Sequence, residues 1–318
     1  KSRYIPALDG LRTLAVVAVV LYHLNLTWAQ GGLLGVTIFF VLSGYLITRL
    51  LLNEVAKTGH IDLKSFWIRR IRRLFPAVVT VVVVTCALCT IFNHVMLTKM
   101  RPDILPSLLF FNNWWQIAQD ASYFSRLTGA SPFTHLWFLG VEMQFYLIWP
   151  LLFYLYKKIF RLPGRKRACF FFLIPAFLSL AAMICLYHPG SDPSRVYYGT
   201  DTMGFTLFLG MFLGALRHNY PVLCTPVSRK RQLPVFSGMF GITLLLFLLV
   251  KGSNSFLYLG GMFVISVFFA VMILFTENQR TLAQELPLAS QTALLGKYSY
   301  NIYLWHYPVI VLLLTAFH

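Results

Sequence analysis

The sequence predicts an all-α, polytopic membrane protein with about nine or ten spans around a polar central cavity. Three observations carry that expectation. Of 318 residues, 58% are hydrophobic and 12% charged, whereas a soluble domain carries about a quarter charged residues. Apolar runs long enough to cross a hydrocarbon core of about 30 Å recur from end to end. The formal net charge of +17 gathers in the connections between those runs, as it does in cytoplasmic loops. That pattern favours the lipid bilayer over nucleic acid as the partner.

Taken in order, the first run covers residues 11–28. Lys1 and Arg3 precede it, as in a secretory signal, but no small-residue cleavage site follows and many more spans do, so it reads as a retained helix. Further spans are expected at 33–52, 75–95, 135–156, 168–187, 202–217, 233–250, 256–275 and 293–316. The connections at 53–74, 157–167 and 217–232 hold most of the Lys and Arg and are assigned to the cytoplasm. Parity then constrains the weaker stretch 104–118, which carries Pro106, Asn112, Asn113 and Gln116. It is expected to re-enter or lie along the outer side, which polar backbone allows when sheltered by protein; ten full spans is the alternative. With re-entry the C-terminus falls outside, and one membrane domain covers 1–318. Cys86, Cys89, Cys169, Cys185 and Cys224 lie mostly in or beside apolar runs. The Cys86–Cys89 pair has no second pair or histidine set near it, so it is read as two buried structural thiols rather than a metal or redox site.

Ionisable residues inside spans carry the functional signal, because each costs at least ~2.5–3.5 kcal/mol unless it faces protein or water. Arg12 and His23 are eleven residues apart, hence on one helical face about 16 Å apart along the axis. Asp9 stands three residues before Arg12, within pairing reach. His135 and Glu142 share a second face; Ser299, Tyr303 and His306 share a third; Tyr197, Tyr198 and Asp201 precede another span. Alone, each cluster could be a snorkelling cation or a satisfied core group. Together they point to a polar cavity. Four arginines, Arg69, Arg70, Arg72 and Arg73, crowd the segment KSFWIRRIRRLFP, with Lys64 nearby. Two readings are open there: an interfacial helix held by anionic lipid, or a clamp for phosphate. Gly44, beside Ser43 in the second span, reads as a close-packing position. No metal-ligand spacing or nucleotide-binding glycine loop is present, so no metal is expected.

The motifs LDGLR with Arg12-x10-His23, GVTIFFVLSGYLIT, FWIRRIRRLFP, HLWFLGVEMQFYLIWP and YSYNIYLWHYP together resemble the acyltransferase-3 family of integral membrane acyltransferases. RVYYGTDT is most similar to the branch that O-acetylates peptidoglycan, whose membrane domain precedes an extracytoplasmic SGNH-type domain; a domain of that type is expected to lie outside this sequence. The resemblance implies an acetyl group moving from cytoplasmic acetyl-CoA to an extracytoplasmic glycan. It makes Arg69, Arg70, Arg72 and Arg73 candidates for holding CoA phosphates, with Ser43 placed beside them. It makes His23 the general base or transient acyl acceptor, with Arg12 orienting the donor and Asp9 fixing Arg12. It further implies that Glu142 polarises a histidine, that His135 relays a proton, and that Tyr197 or Tyr198 takes the acetyl group. Relatives of this branch commonly carry Arg after the Gly-Thr-Asp-Thr run, where this chain has Met203. Asp201 is therefore expected to lack a cationic neighbour. Other surface glycans or glycolipids remain alternative acceptors. A transporter or channel is the competing class, since interior charges also line ion pathways.

Overall fold

The computed structural model describes residues 6–124, 131–160, 166–220, 227–278 and 289–316, which form helices and connecting turns with no strand among them. Cys224 lies outside the described residues.

Helix α1, Pro6–His23, opens on proline, whose missing N–H costs nothing in a first turn. Asp9 in that turn complements the positive end of the helix dipole. Helix α2, Leu34–Thr58, ends at Gly59, which closes it in the left-handed region at φ 74°. After four residues the Asp62 side chain accepts the Ser65 N–H and starts α3, Leu63–Phe92. The basic stretch expected within a long connection is thus the first turns of α3. Thirty residues rise about 45 Å, so the arginine-bearing end extends past a hydrocarbon core.

Helices α4, His94–Leu108, and α5, Asn112–Ala118, are separated by a break in which Phe110 takes φ 56°. At 1.5 Å per residue they reach only about 22 and 10 Å. The 104–118 stretch is therefore no continuous span, and Asn112, Asn113 and Gln116 are buried in the protein. A short 3₁₀ turn, Thr134–Leu136, leads into α6, Trp137–Phe160. The rest of the bundle is α7, Leu173–Leu186; α8, Ser194–Tyr198; α9, Thr200–Asn219; α10, Arg229–Leu249; α11, Met262–Asn278; and α12, Ala289–Ala316.

Among the described residues, six helical stretches are long and apolar enough to cross a membrane: Gln30–Thr58, Leu63–Phe92, Thr134–Ile159, Ala168–Leu186, Lys230–Leu249 and Leu257–Asn278. Helices α1, α9 and α12 are 18, 20 and 28 residues long, about 27, 30 and 42 Å, but carry polar residues. Helices α1 and α9 are largely buried, α9 lying mainly on α2; α12 packs one face on α1 and leaves Leu294, Leu295, Leu313 and Leu314 exposed on the other. Polar side chains are tolerated where they face protein rather than lipid. By contrast, α10 presents Leu233, Val235, Ile242, Leu245 and Leu249 outward, and α7 presents Ile174, Phe177 and Leu178, an apolar surface suited to lipid. The chain is a multi-pass, all-α membrane protein.

Glycine brings the central pair together. A Cβ on Gly44 would run into the Leu207 carbonyl of α9, and one on Gly210 into the Val41 carbonyl of α2. Only the missing side chains allow that approach. Of the expected buried pair, Cys89 is buried but Cys86 is only half-buried; Cys169 is buried and Cys185 exposed on the apolar surface.

Candidate active site

A cavity of about 460 Å³ opens at the end of the bundle where α1 and α12 begin and α2 finishes. Its walls bear five cations, Arg12, Arg49, Arg70, Arg73 and Lys297, against two carboxylates, Asp9 and Glu142. Low-dielectric walls lined by one sign of charge focus the field and draw in an anion. Arg12 Nη1 donates to Asp9 Oδ1 at 3.1 Å, the pairing the three-residue spacing predicts. Arg49 pairs with the buried Glu277 of α11. The Arg70 guanidinium lies 5.3 Å from the Tyr146 ring centroid, within cation–π range. Of the four arginines in α3, the structure brings Arg70 and Arg73 to the cavity. Arg69 pairs instead with Glu54 at 3.5 Å, and Arg72 is exposed away from the cavity.

Glu142 sits in the wall with Ser43. Its Oε1 accepts Ser43 Oγ–H at 2.6 Å and Tyr146 O–H at 2.5 Å. Two hydroxyl donors thus replace the histidine expected beside it. Ser299 and Tyr303 also line the cavity, whereas His306, on the same helix, lies beyond it. Tyr303 forms the inner wall with Phe39 and Phe138, its ring centroid 6.3 and 5.0 Å from theirs.

Behind that wall stand three histidines. The Tyr303 ring touches His135 and His306 at centroid distances of 5.6 and 5.3 Å. His306 Nε2 lies 3.0 Å from His23 Nδ1, which is also 3.0 Å from the Val19 carbonyl. His135 has a different setting: Nδ1 faces the Pro132 carbonyl and Nε2 the Leu304 carbonyl, each at 3.1 Å, while its own carbonyl accepts Tyr303 O–H at 2.7 Å. These bonds staple the entry of α6 to α12. Among the described residues no three His, Cys, Asp or Glu side chains stand as a metal site.

His23 ends α1, and aromatic rings surround it: Tyr307 at 4.8 Å, Tyr22 at 5.3 Å and Tyr123 at 6.1 Å between centroids. Tyr123 in turn reaches Tyr197 at 4.8 Å and Tyr198 at 5.8 Å. The two expected tyrosines differ. Tyr197 donates its hydroxyl to the Leu33 carbonyl at 3.0 Å. The equally buried Tyr198 hydroxyl has no hydrogen-bond partner among the described residues. Asp201 does have a cationic neighbour: Arg195 donates twice to its carboxylate, at 3.1 and 2.8 Å, and lies over the Trp114 ring at 5.5 Å. Met203 leaves no gap there, because the cation comes from six residues upstream across the turn at Gly199. Polar side chains hold this segment in place. Asn113 Nδ2 donates to the Tyr198 carbonyl at 3.1 Å and to Thr200 Oγ1 at 2.9 Å, and Thr200 donates to Gln144 at 2.6 Å.

The profile of a family described as an acyltransferase domain matches residues 5–318. The chain belongs to that acyltransferase family. It is 41% identical over 315 residues to the peptidoglycan O-acetyltransferase OatA of Listeria monocytogenes, covering 98% of this chain and 50% of OatA. It is 41% identical over 313 residues to YrhL of Bacillus subtilis, whose provisional name gives the same activity, covering 98% and 49%. A provisionally named O-acetyltransferase of Staphylococcus aureus strain COL is 38% identical over 312 residues, covering 98% and 51%. The chain therefore spans about half the length of the curated relatives it matches. No solved structure matches it. For a member of an acyltransferase family, the arrangement offers an anion-attracting entrance, a histidine cluster and a tyrosine pair, in that order along the bundle.

Sequence reasoning missed Arg49, Lys297, Tyr146, Tyr123 and Tyr307. The spacing Phe66–Arg70–Leu74 could have singled out Arg70 among the four candidate arginines, since buried Phe66 and Leu74 set the inward face of α3 and Arg70 lies midway between them. Tyr123 precedes no periodic segment and gives no such signal.

Proposed function

We propose that this chain is a bacterial cell-membrane O-acetyltransferase that takes an acetyl group from acetyl-CoA at its basic, cytoplasmic end. It passes that group to an extracytoplasmic glycan, with peptidoglycan the acceptor class best supported by the names of its relatives. One observation carries the reading: a continuous line of polar and aromatic side chains runs from the cationic cavity through Tyr303, His306 and His23 to Tyr123 and Tyr198.

In this reading Arg12, Arg70, Arg73 and Lys297 hold the donor's phosphates, Arg by its planar fork and Lys as a point charge. The thioester enters at the Tyr303 wall. His23 takes the proton of the attacking hydroxyl as the oxygen bonds to the acetyl carbon, and the CoA thiolate leaves. Tyr198 suits the acceptor role better than Tyr197, whose hydroxyl is committed to a carbonyl. The acetyl group then stands at the far end, where a glycan hydroxyl or a companion SGNH-type domain collects it.

The test is turnover of labelled acetyl-CoA by purified protein in lipid nanodiscs, compared with His23→Ala. The proposal expects label on protein or on added glycan, lost in the variant. Equal turnover by the variant removes His23 from the chemistry, and no label on either protein or glycan overturns the reading.

A further inference from the structure

We infer that His306 is the positioning residue of His23: a neutral imidazole that accepts the His23 Nδ1–H, fixes its tautomer and steadies the imidazolium formed during transfer. For catalysis this rests on the reading above; as a statement about His23 it stands on the hydrogen bonds alone.

Three short contacts determine where the protons sit. His306 Nδ1 lies 2.5 Å from the Tyr303 carbonyl, His306 Nε2 lies 3.0 Å from His23 Nδ1, and His23 Nδ1 lies 3.0 Å from the Val19 carbonyl. A carbonyl oxygen only accepts, and a neutral imidazole has one donor and one acceptor nitrogen. His306 therefore carries its proton on Nδ1 and presents a lone pair from Nε2. His23 must carry its proton on Nδ1, shared between that lone pair and Val19. The opposite assignment would set lone pair against lone pair at both carbonyls. The hydrogen bond made by one ring nitrogen thus decides the chemistry of the other: His23 Nε2 becomes the basic atom.

When His23 Nε2 gains a proton, the Nδ1–H becomes more acidic and its bond to His306 strengthens. An aspartate plays this part in a serine-protease triad. Here a neutral ring does so, which avoids burying a second charge. Packing fixes the His306 ring in this position, since it is 8% exposed and lies against Tyr303, His135 and Tyr307. The titratable groups facing the pair are Tyr22 on α1, Tyr123 on the segment after α5, His135 before α6, and Tyr303 and Tyr307 on α12.

The test compares His306→Gln with His306→Leu in the full chain in nanodiscs. Glutamine puts an amide oxygen near the position of Nε2 and restores an acceptor; leucine does not. ¹⁵N-histidine NMR reads the His23 tautomer and titration midpoint without any need for turnover. The inference expects wild-type His23 protonated on Nδ1, a midpoint moved to lower pH in His306→Leu, and recovery in His306→Gln. If acetyl transfer is present, the ascending limb of its pH profile moves to lower pH in His306→Leu. The rate there falls by roughly 10- to 100-fold, the worth of a hydrogen bond to a charged group, and largely returns in His306→Gln. An unchanged His23 midpoint in His306→Leu overturns the inference, as does a glutamine variant that behaves like leucine. Absence of turnover with the expected NMR shifts would count against the acyltransfer reading alone.

Discussion

Substituting the two adjacent tyrosines should separate stability from activity in opposite directions. Tyr197→Phe deletes a donor at 3.0 Å from the Leu33 carbonyl, and Leu33 is fully buried. Leu33 is the N-cap of α2 and its carbonyl keeps the first helical hydrogen bond, so losing the tyrosine donor costs about 0.5–1.5 kcal/mol. Tyr198→Phe instead removes a buried hydroxyl that has no partner among the described residues, so it relieves a penalty of the same order. The two variants should therefore differ by about 2 kcal/mol. At roughly 2 °C per kcal/mol for a chain this long, that is a Tm gap of about 4 °C, with Tyr198→Phe the more stable. Thermal unfolding at one fixed scan rate reads the gap, and labelled acetyl transfer reads function. The account expects Tyr198→Phe to be stable and inactive, and Tyr197→Phe to be weakened but active. A Tyr198→Phe protein that melts below Tyr197→Phe, or transfers at the wild-type rate, would refute the reasoning that its hydroxyl, without a partner among the described residues, is kept for chemistry.

Other perturbations test the entrance and the packing. Arg70→Gln with Arg73→Gln should weaken binding of CoA by about 10-fold or more, given the strength of charge-assisted bonds. Arg69→Gln with Arg72→Gln should leave it nearly unchanged; calorimetry with CoA decides. Gly210→Ala drives a methyl into the Val41 carbonyl and should cost about 1–3 kcal/mol, while Gly238→Ala, with open space around it, should be neutral or stabilising in thermal unfolding. Hydrogen bonds from the Ser65 side chain and backbone hold the Asp62 carboxyl below its ordinary value of 3.8. Its capping contribution should be complete above pH 3.8 and be lost as pH falls through its lower folded value. Hydrogen exchange at the Ser65 amide should accelerate across that range, after correction for intrinsic rates, and Ser65→Ala should weaken the dependence.

Local spacing made much of this site legible. Asp9 and Arg12 pair because residues three apart on a helix are neighbours, and the first span could be read as helical from its apolar run. The helical class followed for the same reason. What spacing could not give was the partner across the bundle. Glu142 meets Ser43 rather than a histidine because α2 approaches α6 on that face, whereas Tyr146, four residues along α6 itself, was within reach of helical spacing. His306 and His23 are 283 residues apart and meet only through the packing of α12 on α1. Asp201 finds Arg195 because the chain turns at Gly199 between two helices, a geometry no helical period describes. Arg49 and Lys297 resembled ordinary basic residues at span edges, and only the cavity they line distinguishes them.

The central claim is that one molecule reaches from the cationic entrance to the histidine cluster. A structure with a non-hydrolysable acetyl-CoA analogue in nanodiscs tests it most directly. The account predicts phosphates among Arg12, Arg70, Arg73 and Lys297, the pantetheine arm along Ser43 and Glu142, and the acyl carbonyl beyond the Tyr303 wall facing His23. Phosphates bound away from that cavity, or an acyl end that stops short on the Glu142 side with Tyr303, Phe39 and Phe138 unmoved, would contradict it.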